Sequence, residues 1–556
     1  MLILKIFSGI YLTCLISYSY GYIFDKIFRI NNNLYENIIT GFFLLGFIGV
    51  LINFFYPLNY IVNNLLLLIS VGILLNFYIK KKIDPKIFKY FFFISALSLI
   101  LILYSNFQED YPWYSLPFIS LLNNEKIAFG ISNVQFRFGH ISILQYSSAL
   151  IPNFFLNKNL LILPNLLVPS IFMVWIVHEL VFKKNKDFLL AKNFLFFVGI
   201  FFLTKFTRFE EYGNDVPAHA LIFIIIYNIL KIYSKNEKFK ISQEFYFNKI
   251  LIFSIFVIMQ KIQYIMIIFL PLSLVLINFN SNIVKNYRII LISFFIILSW
   301  CSKNFIQTGC ILFPNEITCF ENLPWSANHP QDHAYPKKVY EASSAWSKGW
   351  PDQLDNILSH KEFIQNFNWL STWYKNHGLL IIKKIFPFLV LSIFLILYSK
   401  FRYKYSIFKN FSKKILLLKY IFIYLILCII IWLNIFPIFR YNVAFIISMC
   451  AILLSLFLNK KVNYSKKEFK SLLVVCLVFL CIKNLLRIND SYEKRNILPM
   501  IMSNTSHKVF ESNSYKIFKP KTGGCFYVDV ICSHHGHLKK IKIENYKNYK
   551  LYTYKR

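Results

Sequence analysis

Residues 91–107 read FFFISALSLILILYSNF, and the next twelve, 108–119, read QEDYPWYSLPFI. The first stretch is uncharged and almost entirely apolar, close to the ~20 residues that carry an α-helix across a hydrocarbon core. The second opens with two adjacent carboxylates, Glu109 and Asp110, in a chain that has only 26 acidic residues among 556. An apolar helix that ends in an acidic pair is therefore the unit to explain.

The same alternation recurs along the chain. The composition is 57% hydrophobic and 19% aromatic with 16% charged residues, and the mean hydropathy is +0.51. A soluble chain of this length needs more polar surface, so the fold class expected is an all-α polytopic membrane protein. Apolar runs near 2–23, 37–56, 60–79, 88–105, 160–182, 187–204, 216–233, 288–303, 379–399, 415–435, 441–458 and 468–487 read as spans. The run 249–279 is interrupted by QKIQ and reads as two short helices or a broken one, giving about 14 crossings. The first run, MLILKIFSGIYLTCLISYSYGYIF, lacks a basic leading segment and an A-x-A-like cleavage site, so it reads as a span.

The formal net charge is +35. Its basic residues fall in short clusters between apolar runs, such as Lys80-Lys81-Lys82, Lys183-Lys184 and Lys460-Lys461. That is the pattern of cytoplasmic loops, and it argues against a nucleic-acid partner. It also sets the expected topology. Loops 106–158 and 304–378 and the polar tail 488–556 fall on the extracytoplasmic side, with 1–487 as the transmembrane domain. Trp113 and Tyr114 suit an interfacial belt, and five tryptophans (325, 346, 350, 369, 373) mark the second large loop. The lipid bilayer is the first partner, and a bacterial inner membrane the expected location.

Cysteine placement follows the same division. Cys14, Cys428, Cys450, Cys476 and Cys481 fall in spans, where they act as small apolar residues. Cys310 with Cys319, and Cys525 with Cys532, form two local pairs on the outer side, so two disulfides are expected.

Four groups of ionisable residues are candidates for chemistry. Glu109 and Asp110 read structurally as caps of a helix opening at Pro112. Read functionally, one is a general base for an acceptor hydroxyl, or a ligand of a divalent cation. RFEEYGNDVPAH supplies Arg208, Glu210, Glu211, Asn214, Asp215 and His219; a cap accounts for one acidic residue but not three. Arg440 in NIFPIFRYN is either a snorkelling side chain or a planar fork for a phosphate or diphosphate. Lys205, Arg208 and Lys261 are weaker phosphate candidates, and Arg137 and His140 in GISNVQFRFGHIS are candidates to shape a substrate groove. The histidines of NHPQDH (His329, His333, with Asp332) and CSHHGH (His534, His535, His537) lack metal-site spacing and read as exposed loop residues. No phosphate-binding Gly loop, G-x-S-x-G or H-E-x-x-H motif occurs. There is also no internal repeat of the kind that marks many transporters.

The ordered set EDYPWYSLPFISLL, GISNVQFRFG, EEYGNDVPA, NFIQTGCILFP…LPW, FPIFRYN and GGCFYVDVIC, spread over about residues 108–532, resembles GT-C-type membrane glycosyltransferases. More closely, it resembles a group of bacterial polytopic proteins related to them. The resemblance implies a polyprenyl-phosphate or polyprenyl-diphosphate sugar donor, a glycan or lipid acceptor, and chemistry on the extracytoplasmic face. It implies Asp110 as base with Glu109 beside it, Asp215 or Glu211 as the second acidic position, and Arg440 as the phosphate grip. A divalent cation, Mg or Mn, held by Asp110 and Asp215, is the cofactor candidate. Where the resemblance leads one to expect Arg-Tyr-Gly or Arg-Phe-Gly, this chain has Arg440-Tyr441-Asn442. The competing readings are an O-antigen polymerase or ligase using Arg and His of the late outer loops, a transporter or flippase of lipid-linked glycans, and a non-catalytic scaffold.

Overall fold

A computed structural model describes residues 2–80, 85, 87–105, 110–183, 188–205, 215–234, 240–277, 286–326, 334–351, 358–402, 415–458, 467–502, 506–513 and 515–555. The chain is mostly helical. Helices α1 (Leu2–Phe28), α2 (Leu34–Asn53), α3 (Tyr60–Ile79) and α4 (Ile87–Ile102) open the bundle. The segment that follows carries the short helices α5 (Leu116–Asn124) and α6 (Ile143–Ala149). Then come α7 (Leu163–Val177), α8 (Leu189–Lys205), α9 (Asp215–Ser234), α10 (Lys240–Gln260), α11 (Phe269–Ile277) and α12 (Tyr287–Thr308). A second connecting segment holds α13 (Pro336–Ser347), α14 (His360–Ile364) and α15 (Leu370–Trp373) before α16 (Leu379–Arg402), α17 (Ile415–Ile435), α18 (Phe439–Phe457) and α19 (Lys467–Ser491).

Among the described residues, ten helices are long and apolar enough to cross a membrane, and three shorter apolar helices accompany them. α9 is the most enclosed, with 89% of its most apolar window buried, whereas α3 and α19 present apolar side chains such as Ile61, Leu68, Val475 and Phe479 outward. Such faces fit lipid. The chain is a multi-pass membrane protein on this evidence.

Close backbone approach holds the first two helices together. A Cβ on Gly41 would lie 1.7 Å from the Ser17 carbonyl oxygen, and one on Gly21 1.7 Å from that of Asn37. Small residues permit this contact where no hydrophobic force distinguishes protein from lipid. Ser17 Oγ donates to the Ile38 carbonyl at 2.6 Å across the same crossing. At the loop end of α2 the Asn33–Glu36 capping box forms, and Glu36 also pairs with Lys249 of α10 at 2.5 Å.

The run 249–279 is broken, as QKIQ suggests. α10 ends at Gln260, Lys261 adopts an extended backbone, and a 3-10 turn (Ile262–Ile268) leads into α11.

The all-α expectation is overturned in the tail. Four strands form two antiparallel hairpins: β1 (His507–Ser512) with β2 (Tyr515–Pro520), and β3 (Ile541–Tyr546) with β4 (Tyr549–Tyr554). In β3–β4 the loop residues Lys547 and Asn548 both have positive φ, the geometry that matches strand twist in a two-residue turn. KIKI (540–543) alternates polar with apolar positions, but YKLYTY sets buried Leu551 and Tyr552 side by side, so the period-2 signal is short. The tail does not stand apart. Ile517, Ile541, Ile543 and Tyr552 join the same apolar cluster as the bundle helices. Phe129 exchanges backbone bonds with Lys550 and Tyr552, and Lys550 pairs with Glu125. Both cysteine pairs are bonded, Cys310–Cys319 at 2.05 Å and Cys525–Cys532 at 2.08 Å.

Candidate functional site

Five breaks or helix starts bring the site together. Asp110 precedes a wide helical turn (Tyr111–Ser115) whose Pro112 lacks an N–H to lose. Asp215 stands in the first turn of α9, where a carboxylate complements the helix dipole. Arg440 stands in the first turn of α18. Lys261 occupies the break after α10, and Arg137 the 3-10 turn Phe136–His140.

Arg137 Nη1 donates to Asp110 Oδ1 at 2.7 Å, and Lys261 Nζ donates to Asp215 Oδ1. Arg440 lies between the two carboxylates: its Nη2 is 3.9 Å from Asp110 Oδ2 and its Nε 3.9 Å from Asp215 Oδ2. Asp215 is 6% exposed, and the other four are part-exposed. Among the described residues, two carboxylates thus face three cations, one more positive than negative charge. Aromatic rings hold the cations in place. Lys261 Nζ is 4.2 Å from the Tyr441 ring centre, the Arg440 guanidinium 5.6 Å from Trp346, and that of Arg137 5.2 Å from Tyr114. Burial, and after it the Asp110 charge, pushes the Tyr114 hydroxyl well up, so it stays protonated.

His140 shares this neighbourhood. Burial first, and the positive charges of Arg137, Lys261 and Lys303 second, lower its imidazole to about 3. It is neutral at physiological pH, and its Nε2 is buried without a hydrogen-bond partner. His219 of α9 pairs through Nε2 with the Tyr264 hydroxyl at 3.0 Å, one helical turn from Asp215.

A cavity of about 580 Å³ lies on the other side of Tyr441 from Lys261 and Arg440. Its walls are mostly apolar, built by Met266 after the broken helix, Phe313, Trp432 of α17 and Phe445 of α18, with Glu316 and Lys337 also in the lining. Tyr441 is the shared partition: it lines the cavity and also stacks on Lys261 and Arg440. Pockets of this size and polarity are typical for small molecules with one polar end.

Asp110, Asp215, Arg440, Lys261 and Arg137, named from sequence, therefore converge, with His140 beside them. Glu109, Glu211 and Arg208 lie outside the described residues, as do His329, Asp332 and His333. Tyr264 went unnamed, and Tyr441 and Trp346 were named only within the FRYN motif and among the loop tryptophans, not as site residues. The reading of His534, His535 and His537 as exposed is corrected. His534 packs on Trp113 (ring centres 4.3 Å) and accepts at Nδ1 from Gln135 Nε2 at 3.3 Å. His535 bonds Gln135 Oε1 at 2.6 Å, and His537 bonds the Asn133 carbonyl at 2.9 Å. The tail thus braces the segment that carries Arg137.

The described residues fit a divalent cation poorly. Both aspartates already face cationic partners, and an added cation would be repelled by three positive groups at close range. Among the described residues, no three His, Cys, Asp or Glu side chains come together as a metal group.

Residues 1–447 match the family described as Domain of unknown function (DUF8201), and the chain belongs to that family. No curated protein and no solved structure is detectably similar to it.

Proposed function

We propose that this DUF8201 member is a GT-C-like membrane glycosyltransferase. It moves a sugar from a polyprenyl-phosphate-linked donor to a cell-surface glycan or lipid. In this reading the chain crosses a bacterial inner membrane about fourteen times, with 106–158, 304–378 and the tail on the extracytoplasmic face. One observation carries the proposal: among the described residues, Arg137, Lys261 and Arg440 outnumber Asp110 and Asp215 by one charge, and Tyr441, which faces Lys261 and Arg440, also lines a mostly apolar cavity. An amphiphile with an anionic head and a long apolar chain satisfies both halves at once.

The chemistry follows from these side chains. The acceptor hydroxyl oxygen attacks the anomeric carbon and forms the new glycosidic bond. The bond from that carbon to the donor phosphate oxygen breaks, and the phosphate leaves with the electron pair. Asp110 takes the acceptor proton at a carboxylate oxygen. Arg440 and Lys261 face the charge that grows on the leaving phosphate, in a setting where a fixed cation needs no reorganisation. Asp215 anchors both cations and does not itself react. No step is routed through a metal. A lipid-linked donor also accounts for a chain without a nucleotide-binding motif.

The test compares the surface-glycan and lipid-linked-glycan mass profiles of cells carrying wild type, a deletion, or Asp110→Asn at matched expression. The proposal expects the point variant to reproduce the deletion, with one defined sugar mass lost. A variant indistinguishable from wild type, beside a deletion that changes the profile, would make Asp110 a cap and favour transport, polymerisation or scaffolding.

A further inference from the structure

The residue that departs from the expected Arg-Tyr-Gly pattern has an unusual environment. Asn442 is 1% exposed, lines the apolar cavity, and has neither its Nδ2 nor its Oδ1 hydrogen-bonded. Gln263, in the turn after Lys261, lines the same cavity. A buried carboxamide without partners costs about 1–3 kcal/mol, so such a group calls for an explanation in what binds there. A leucine would fill the same volume at no such cost.

The chemistry of the missing partner is constrained. Asn442 offers one acceptor oxygen and one donor amide. A hydrocarbon chain satisfies neither, and a phosphate dianion, which only accepts, satisfies the amide alone. A hydroxyl both donates and accepts, as does an acetamido group. Asn442 and Tyr441 both line the cavity, and the Tyr441 ring also faces Lys261 and Arg440, so the cavity wall that holds Asn442 adjoins the cationic partition. At that junction a lipid phosphate would carry its first sugar.

We propose that Asn442, aided by Gln263, is a specificity-determining residue that reads a hydroxyl or acetamido group of the sugar attached to the lipid phosphate. The inference rests on the lipid-linked-donor reading above and adds where the sugar lies and what recognises it.

The experiment uses the full chain purified in detergent and three probes: farnesyl phosphate, and farnesyl phosphate esterified to glucose or to N-acetylglucosamine. Dissociation constants are compared for wild type, Asn442→Leu, Asn442→Asp and Lys261→Met, with melting temperatures as the fold control. Asn442→Leu should weaken at least one glycosylated probe by about tenfold while changing bare farnesyl phosphate less than about twofold, the size expected for losing a buried hydrogen-bonded pair. Asn442→Asp, which keeps the acceptor and loses the donor, should also weaken the glycosylated probe. Equal losses on all probes, or no loss on any, overturn the inference. Failure of wild type to bind any probe overturns it together with the lipid-phosphate reading. Full binding by Lys261→Met, with a sugar-selective loss in Asn442→Leu, removes the cationic grip while the role of Asn442 stands.

Discussion

Replacing Asp215 by Asn should make the protein bind an anionic lipid more tightly, not less. A phosphate seated on the Arg440 guanidinium where neither carboxylate faces it would lie about 4 Å from it, and Asp215 is 3.9 Å from Arg440 Nε. The phosphate and the carboxylate are then about 8 Å apart. At an effective dielectric of about 20 their repulsion is 332/(20 × 8), or about 2 kcal/mol per unit charge. Removing the carboxylate charge relieves up to that amount, and water at the part-exposed cations trims it to about 1–2 kcal/mol. The expected gain in affinity for farnesyl phosphate is about 5- to 30-fold at 0.15 M salt. Lys261→Met should lose a comparable factor. Lys261 is part-exposed, so its ammonium can turn to water in Asp215→Asn, and the melting temperature should move little. Binding is measured by titration calorimetry in detergent, with and without EDTA. Weaker binding by Asp215→Asn, or wild-type binding abolished by EDTA, would refute the direct charge argument and place a carboxylate-held divalent cation between protein and phosphate.

Three further outcomes follow from packing and charge elsewhere. The Glu36–Lys249 pair is 4% and 6% exposed, so Lys249→Met should cost about 3–5 kcal/mol by stranding the carboxylate, and adding Glu36→Gln, which keeps the helix cap, should recover most of it. Unfolding by SDS titration measures the cycle, and a coupling energy under about 0.5 kcal/mol would sink the argument. Gly41→Ala should prevent stable folding because its Cβ meets the Ser17 carbonyl, whereas Gly72→Ala, with nothing within 4 Å, should stabilise by up to about 1 kcal/mol. Equal melting temperatures for the two would show that α1 and α2 can part without cost. Finally, burial, with Arg137, Lys519 and His537 nearby, lowers His534 from 6.5 to about 4. A depressed imidazole favours the neutral, docked form, so this contribution to docking is full above pH 6.5 and is lost as the pH falls toward 4. Hydrogen exchange in 507–555 should rise across that window, and His534→Phe should blunt the rise; flat exchange from pH 7.5 to 4.5 would contradict it.

The helical bundle was legible because runs of 17 or more apolar residues have few alternatives, and a Gln-Lys-Ile-Gln interruption has an obvious cost inside one. Asp110, Asp215 and Arg440 were legible for a related reason: ionisable groups at the ends of apolar helices are expensive to place by chance. The β-hairpins of the tail were not, since their six-residue strands alternate over only a few positions and Lys-Asn is a weak turn signal. Pairings across long separations stayed hidden too. Gln135 meets His534 and His535 about 400 positions away, and nothing local in CSHHGH announces a partner. Arg137 was noticed as part of a groove, but its bond to Asp110 depends on how two turns fold back on each other. Asn442 was visible as a departure, while its orphaned carboxamide required the cavity around it.

The docking of the tail on residues 113–136 also fixes an order of manufacture. A ribosome delivers Asp110 and Arg137 early, then hundreds of residues of bundle, and only afterwards the Cys525–Cys532 loop, whose neighbour Phe526 donates its N–H to the Pro112 carbonyl at 2.8 Å. Until those residues arrive, the turn beside Asp110 lacks that bond and the Gln135 side chain its imidazole partners. The earlier part of the chain therefore waits, inserted but unfinished, for its own far end. A premature stop after α19 would leave every crossing in place and the acidic turn unbraced, a defect invisible to any assay of membrane insertion.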